Sequence, residues 1–142
     1  ASSSCLSKDF APGVWECVTG RVEQQESFVQ ALEREIVEEV GFHAPPAWIL
    51  GTSHFYRGEE CDENELLGVI FGCEVEGVPE IVLSHEHDAY KWVTVGQTEN
   101  LLDLSNPSSR WLKRVLKRAD SLRQLSSQEV STYLKTHPFE FD

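Results

Sequence analysis

The longest run of good helix formers in the chain carries a regular apolar stripe. The stripe consists of Leu32, Ile36 and Val40. A spacing of four places these side chains on one face, so the pattern predicts a helix that packs this face against a core. Ser27 and Gln30 have the spacing of a capping box, and Gly41 stands where a left-handed C-terminal residue is favoured. A helix is therefore predicted to begin after Ser27 and to end at Gly41.

Stretches rich in β-branched and aromatic residues predict strands on both sides of this helix. They are the segments 14–18, 47–56 and 66–75, with a shorter apolar stretch at 81–83. The segments 47–56 and 66–75 flank a charged connection that contains Gly58, which predicts a hairpin or two neighbouring strands of one sheet. Residues 1–13 are rich in serine and end in the turn signal Ala11-Pro12-Gly13, so an irregular N-terminal segment is expected.

The last third of the chain predicts helices. Residues 97–104 are expected to form a short helix, and Asn106 followed by Pro107 is typical of the start of another. A stripe of apolar residues at helical spacing extends this second helix to near residue 124. Ser126 and Glu129 have the spacing of a capping box for a final helix, which ends before residue 137.

Length and composition indicate one globular domain over residues 1–142. A chain of 142 residues with 40% hydrophobic and 25% charged residues is ordinary for a soluble domain. No apolar run approaches the roughly 18 residues of a membrane span, so no membrane partner is expected. The four cysteines form neither a CxxC pair nor a zinc-type spacing, which predicts reduced thiols in a cytoplasmic protein.

The net charge of −12 narrows the classes of partner. Binding to nucleic acid depends on Lys and Arg, so a chain this acidic is not expected to bind nucleic acid. The same charge repels a phosphorylated substrate unless bound cations reverse the local field. The charge is therefore compatible with a metal-dependent enzyme acting on phosphates, although it does not single one out.

Three carboxylates crowd one face of the first predicted helix. Glu35, Glu38 and Glu39 are spaced i, i+3 and i+4, and like charges at this spacing destabilise a helix by a few tenths of a kcal/mol per pair. Such a face is either left in bulk water or neutralised by a cation. Clustered oxygen ligands suit Mg²⁺ or Mn²⁺, whereas a solvated acidic face is the commoner explanation for such a run on its own.

The segment Gly20–Phe42 reads GRVEQQESFVQALEREIVEEVGF and resembles the Nudix box, G-x5-E-x7-R-E-U-x-E-E-x-G-U with U an apolar residue. It agrees at every specified position, and weaker agreement extends the resemblance to about residues 15–102. The resemblance implies an α/β fold, namely the Nudix fold with a mixed β-sheet in an α/β/α sandwich. Family members usually carry one or two strands before the tryptophan, for which this chain offers few residues. Many relatives dimerise, so a homodimer is left open.

The resemblance also implies hydrolysis that depends on Mg²⁺ or Mn²⁺. The residues that it assigns to the metal are Glu35, Glu38, Glu39, Thr19 and Gly20. Of these, Glu35 and Glu39 are the principal ligands, and Thr19 contributes its backbone carbonyl. Family members usually have Pro-Gly where this chain has Val18-Thr19, so this loop departs from the family pattern.

Other residues of the box, and one outside it, are candidates for the chemistry. Arg34 can fork onto carboxylates such as Glu26 and orient them, with an ordinary surface ion pair as the alternative. The general base is a glutamate of the box, Glu35 or Glu38, or else Glu86, which lies where some family members place a further ligand or base. Coupled carboxylates of this kind titrate as a group.

The segment 84–93 is similar to the E-H-x-x-Y-x-W-V run of many small Nudix hydrolases, in which an acidic loop leads into a strand. His85 and His87 have strand spacing and offer a zinc site as an alternative, although no third compact ligand is near. Tyr56 and Tyr90 are the aromatic residues that we expect to contact a nucleobase.

Together these patterns predict a hydrolase of a phosphoanhydride bond in a small nucleotide. The substrate is a nucleoside triphosphate, a dinucleoside polyphosphate or a nucleotide sugar. A Nudix-fold module that binds or senses a nucleotide without hydrolysing it is the alternative.

Overall fold

The computed structural model describes residues 4–9 and 14–141. The strands are β1 (Ser4–Asp9), β2 (Trp15–Glu16), β3 (Pro46–Tyr56), β4 (Glu65–Cys73) and β5 (His87–Val93). The helices are α1 (Phe28–Val40), α2 (Thr98–Leu101), α3 (Pro107–Leu125) and α4 (Gln128–Thr136). The first long helix and the hairpin strands thus lie within a residue or two of their predicted bounds, whereas α2 is shorter than the predicted 97–104.

Two sheets are formed by the described residues, a three-stranded one in the order β2-β1-β5 and the hairpin β3-β4. Every pairing among these strands is antiparallel. The α/β class predicted from the sequence is confirmed, and the predicted hairpin is present. A parallel pair, as the expected mixed sheet would require, is not among the pairings of the described residues.

The expectation of an irregular N-terminal segment is wrong for Ser4–Asp9, which forms the central strand β1 of the three-stranded sheet. Leu6 is fully buried and Ser7 is 2% exposed. Pairing with strands on both sides therefore overrides a serine-rich composition that has little intrinsic preference for a strand. Residues 1–3 and 10–13 of the predicted irregular segment lie outside the described residues.

Helix α3 packs on both sheets. Its Leu112 and Leu116 are buried with Leu6 of β1 and Val93 of β5. A second set of its apolar residues packs against the buried start of β3; these residues are Val115, Ala119 and Leu122. The predicted Asn106 cap is confirmed, since its side chain accepts hydrogen bonds from the Ser108 and Ser109 amides. The wide apolar face of α3 therefore joins the two sheets into one body.

Helix α4 begins one residue later than the sequence suggested. Ser127 caps it and accepts from the Val130 amide at 3.2 Å. The Ser126 hydroxyl instead accepts a hydrogen bond from Trp48 Nε1 at 3.2 Å, so the predicted Ser126–Glu129 capping box is wrong. A partner 78 residues away in the sequence takes up the hydroxyl of Ser126.

The C-terminal residues reach back to the first helix. Glu140 Oε1 accepts a hydrogen bond from the Val29 amide, in the first turn of α1, at 2.6 Å. Phe139 contacts Phe71 of β4 edge to face. The hydrogen bond from Val29 to Glu140 satisfies one of the amides that have no partner inside the helix at its start.

Within residues 4–9 and 14–141, no helix is long and apolar enough to cross a membrane. All four cysteines are free, in agreement with the predicted reduced thiols.

Candidate active site

Helix α1 is fixed at both ends by the residues that predicted it. Ser27 and Gln30 form both hydrogen bonds of the capping box. Gly41 adopts the left-handed conformation with φ of 78°, and its amide donates to the Val37 carbonyl. Ile36 and Val40 are buried in a core cluster with Ala44. The predicted core stripe is thus confirmed, and it leaves the glutamates of the helix outside that cluster.

Arg34 gathers the carboxylates at the start of this face. Its guanidinium forks onto Glu26, with Nε 2.7 Å from Oε2 and Nη2 2.9 Å from Oε1. Nη1 donates to Glu35 at 2.8 Å and to Glu38 at 3.3 Å, and Nη2 also donates to the Arg21 carbonyl. The Arg34 side chain is 24% exposed and Glu26 is 14% exposed. A charged fork in this setting fixes the rotamers of its partners.

The charge of Arg34 affects the carboxylic acids unequally. Hydrogen bonding to Arg34 and to the Glu23 amide lowers the pKa of Glu26 to about 2. The Arg34 pKa rises because Glu26 and Glu35 accept its hydrogen bonds. Glu38 has a side chain that is 59% exposed, whereas the Glu35 side chain is 18% exposed. Arg34 therefore holds Glu26 and Glu35 firmly, and Glu38 remains open to solvent.

Glu39 differs from the other glutamates because it lacks a cationic partner of this kind. Its Oε2 is buried and has no hydrogen-bond partner. Burial raises the pKa of Glu39 to about 7; the His87 ring acts against this rise, and Glu35 and Glu16 add to it. A hydrogen bond with the Thr19 backbone also acts against the rise. Glu39 is thus a carboxyl group that ionises only near neutral pH, next to other acidic groups.

The loop Thr19–Gly20 lies directly over the helix. A side chain at Gly20 would overlap the Glu35 carboxyl group, because even a single methyl carbon has no room there. The contact requires glycine for close approach rather than for an unusual backbone angle. Although Val18-Thr19 replaces the usual Pro-Gly, Thr19 still reaches the Glu39 carboxyl group through its backbone.

Two further side chains lie next to Glu39: Glu16, which sequence reasoning missed, and His87, which it named only as a possible zinc ligand. His87 Nε2 lies 2.9 Å from Glu16 Oε1, and the His87 side chain is 3% exposed. His87 Nδ1 lies 3.2 Å from the Ser84 hydroxyl. Glu16 is close enough to Glu39 to raise its pKa. The similarity of segment 84–93 to a family run and the alternative zinc site both pointed to this region, but neither gave Glu16 or Ser84 as a partner of His87.

Glu86, Tyr56 and Tyr90 take part in none of the hydrogen bonds or ion pairs described above for this cluster. Glu86 is exposed in the turn that precedes β5, beside the exposed His85. Because His85 is exposed and His87 is buried, the two histidines do not share one side, and the alternative zinc site is wrong. Tyr56 lies at the end of β3 against His54, and Tyr90 is 48% exposed in β5. Across residues 4–9 and 14–141, no three His, Cys, Asp or Glu side chains are grouped so that they could hold a metal.

Comparisons with known proteins bear on the family and the fold of the chain. A family model described as NUDIX domain matches residues 2–115. The chain is similar in structure to the MutT protein of Methanosarcina mazei, with a TM-score of 0.65, 24% identity and 84% of each chain covered. It is also similar to an Ap4A hydrolase of C. elegans, with a TM-score of 0.66, 18% identity and 86% of each chain covered.

A curated relative in Myxococcus xanthus, an octanoyltransferase, is 35% identical over 83 residues. The match covers 58% of this chain but only 23% of the relative. The chain thus spans about a quarter of the length of that protein.

Proposed function

The chain belongs to the NUDIX domain family, and from this premise we propose that it hydrolyses a phosphoanhydride bond in a nucleoside diphosphate or triphosphate derivative with the help of a divalent cation. The observation that carries the proposal is the Glu39 carboxyl group, which is partly buried, lies beside Glu35 and has one buried oxygen, Oε2, without a hydrogen-bond partner. A buried carboxylate without a counter-charge is unfavourable, and a bound cation would relieve this.

The donors present suit a hard divalent cation. Glu35, Glu38, Glu39 and the carbonyl of Thr19 offer only oxygen atoms, which Mg²⁺ and Mn²⁺ prefer. These residues would hold the cation, and Gly20 would keep the loop close to Glu35. Arg34 engages Glu35 and Glu38, so these two carboxylates would also have to turn toward the cation. A divalent cation supplies charge neutralisation at the phosphate oxygens and acidification of water.

Protein side chains would carry out the proton transfer and orient the reacting groups. A carboxylate takes a proton from water while the water oxygen forms the new bond to phosphorus, and the bridging oxygen leaves with the electron pair of the broken bond. We propose Glu35 or Glu38 ahead of Glu86 as the general base, because both lie in α1 within about one turn of Glu39, whereas Glu86 lies in the turn before β5. Arg34 orients Glu35 and Glu26. Its removal would leave these carboxylates free to rotate.

The substrate class that we propose is a nucleoside polyphosphate. Structural neighbours named as an Ap4A hydrolase and as a dihydroneopterin triphosphate pyrophosphohydrolase support a polyphosphate chain joined to a heterocycle. Tyr56 and Tyr90 remain our candidates for contact with the base, since both present an aromatic side chain outside the core.

One comparison favours the alternative of a nucleotide-binding module. A structural neighbour, the NUDIX domain of Shewanella oneidensis NrtR, was solved in complex with ADP ribose. The departure at Val18-Thr19 points in the same direction, whereas the intact set of Arg34 and its glutamates favours an enzyme.

Turnover measured with and without metal separates the two functions. Purified protein is incubated with nucleoside triphosphates, dinucleoside polyphosphates and nucleotide sugars, with Mg²⁺ or with EDTA, and the released products are resolved by chromatography. We expect metal-dependent turnover that falls on the order of 10²-fold in Glu39→Gln, the scale of losing one key polar group in an active site. Glu33→Gln, an exposed glutamate of the same helix, is the matched control. A binding module would retain its nucleotide affinity without any metal-dependent turnover.

A further inference from the structure

His87 is a buried polar side chain for which the proposed chemistry has no use. It begins β5, its side chain is 3% exposed, and both ring nitrogens face protein oxygens. A histidine with both nitrogens engaged in this way is held in one orientation. Its two partners belong to segments that are far apart in the sequence, and each of these segments is hydrogen-bonded to Glu39.

The first partner, Glu16, leads to the loop over the helix. Glu16 lies in β2, three residues before Thr19, whose backbone bonds to the Glu39 carboxyl group. The ring contact at 2.9 Å is therefore a tie between β5 and the strand that carries this loop. The contact spans 71 residues of sequence, so no local structure supplies it.

The second partner, Ser84, leads to the C-terminal turn of α1. The Ser84 amide donates to the Glu39 carbonyl at 3.1 Å, and the Val82 amide donates to the Val40 carbonyl at 2.9 Å. The Ser84 hydroxyl meets His87 Nδ1, and the His87 amide donates to the Ser84 carbonyl at 3.2 Å. The turn that contains Glu86 is thereby closed at both of its ends.

We propose that His87 is a positioning residue that ties the Glu16 strand to the Ser84 turn and so fixes the Glu39 carboxyl group and the Glu86 turn relative to each other. The proposal rests on the proposed function and adds to it a residue outside the Nudix box. The ring spans the gap because its nitrogens lie on opposite edges, whereas a shorter or single-ended side chain reaches only one partner. His87 is not expected to bind the cation, since both nitrogens are already engaged.

Paired substitutions test the tie. His87→Asn keeps a polar group near the Nδ1 position and loses the reach to Glu16, whereas His87→Gln keeps one near Nε2 and loses the contact with Ser84. Each should lower kcat by about 10- to 100-fold, the range measured when groups that orient a metal ligand are removed, with KM changed by less than about twofold. His85→Asn, the exposed neighbour, is the matched control and should retain wild-type kcat. Thermal unfolding confirms that each variant is folded at the assay temperature.

A double-substitution cycle shows whether His87 acts through Glu39. In the Glu39→Gln background, His87→Asn should lower kcat no further, because residues that act as a unit are not additive. The dissociation constant of Mn²⁺ is measured by electron paramagnetic resonance without substrate. It should rise about 10-fold or more in His87→Asn and should not change in His85→Asn.

Three results would overturn the inference. Folded His87→Asn with the kcat and the Mn²⁺ affinity of His85→Asn would show that the tie positions nothing. An undiminished effect of His87→Asn in the Glu39→Gln background would show that it acts elsewhere. Wild-type protein without metal-dependent turnover would refute the proposed function, and the inference with it; in the first two cases the proposed function stands.

Discussion

Replacing Glu39 with glutamine should make the metal-free protein more stable at alkaline pH while it lowers turnover on the order of 10²-fold. In the folded protein, burial raises the pKa of Glu39 from an ordinary 4.5 to about 7. The folded chain therefore keeps this proton over a range in which the unfolded chain has released it. The stabilisation that results is complete below about pH 4.5 and is lost as the pH rises through 7.

The size of the effect follows from the difference between the two pKa values. A rise from 4.5 to about 7 corresponds to roughly 3 kcal/mol, at about 1.36 kcal/mol per pKa unit. The Glu39 side chain is only partly buried, so screening by water reduces this to about 1–2 kcal/mol. The free energy of unfolding of the wild type should fall by that amount between pH 5 and pH 8, relative to Glu39→Gln.

The measurement is urea unfolding in EDTA at closely spaced pH values between 5 and 8, followed by tryptophan fluorescence. Glu26, whose pKa is lowered to about 2, remains ionised throughout this range and does not contribute to the slope. Glu33→Gln removes an exposed carboxylate from the same helix and should follow the wild-type profile. Added Mn²⁺ should restore the stability of the wild type at pH 8, because a ligand that binds only the folded state stabilises it.

Parallel profiles for the wild type and Glu39→Gln would refute this account of the site. Such a result would mean that Glu39 titrates normally and is solvated when the protein folds. The buried oxygen would then give no reason to place a cation beside it.

Two further substitutions test the packing around the site and in the core. Gly20→Ala should lower kcat on the order of 10-fold or more, because its methyl group would overlap the Glu35 carboxyl group and small misplacements of catalytic groups are costly. Gly96→Ala, where there is room for a methyl group, should retain activity in the same assay. Equal activities of the two variants would contradict the contact between Gly20 and Glu35. Leu112→Ala, at a position 2% exposed, should lower the free energy of unfolding by about 2–5 kcal/mol. Leu125→Ala, at a position 83% exposed, should change it by less than about 0.5 kcal/mol, and similar losses for both would exclude the assigned core.

Local signals were sufficient for the helix at the centre of the site. The capping box at Ser27 and Gln30 and the glycine at position 41 act within a few residues, so they could be recognised without knowledge of the fold. The proximity of Arg34 to Glu38, four residues later, likewise follows from helix geometry alone. These are the parts of the fold and the site that the sequence predicted.

Contacts between distant segments were not predictable in this way. Strand β1 has a serine-rich sequence and becomes a strand because β2 and β5 pair with it on either side. The Ser126 hydroxyl would fit a cap, yet Trp48 takes it and Ser127 serves instead. The tie between Glu16 and His87 joins residues 71 positions apart, and neither residue carries a local signal for the other.

The hydrogen bond from the Val29 amide to Glu140 couples the first turn of α1 to the C-terminal end of the described chain. An amide at the start of a helix ordinarily frays and exchanges its hydrogen with solvent quickly. Here the amide of Val29 is protected while the Glu140 carboxylate accepts its hydrogen bond, so its rate of exchange reports on the attachment of the C-terminal residues. A tag or truncation at that end should therefore first increase the rate of hydrogen exchange in the first turn of α1.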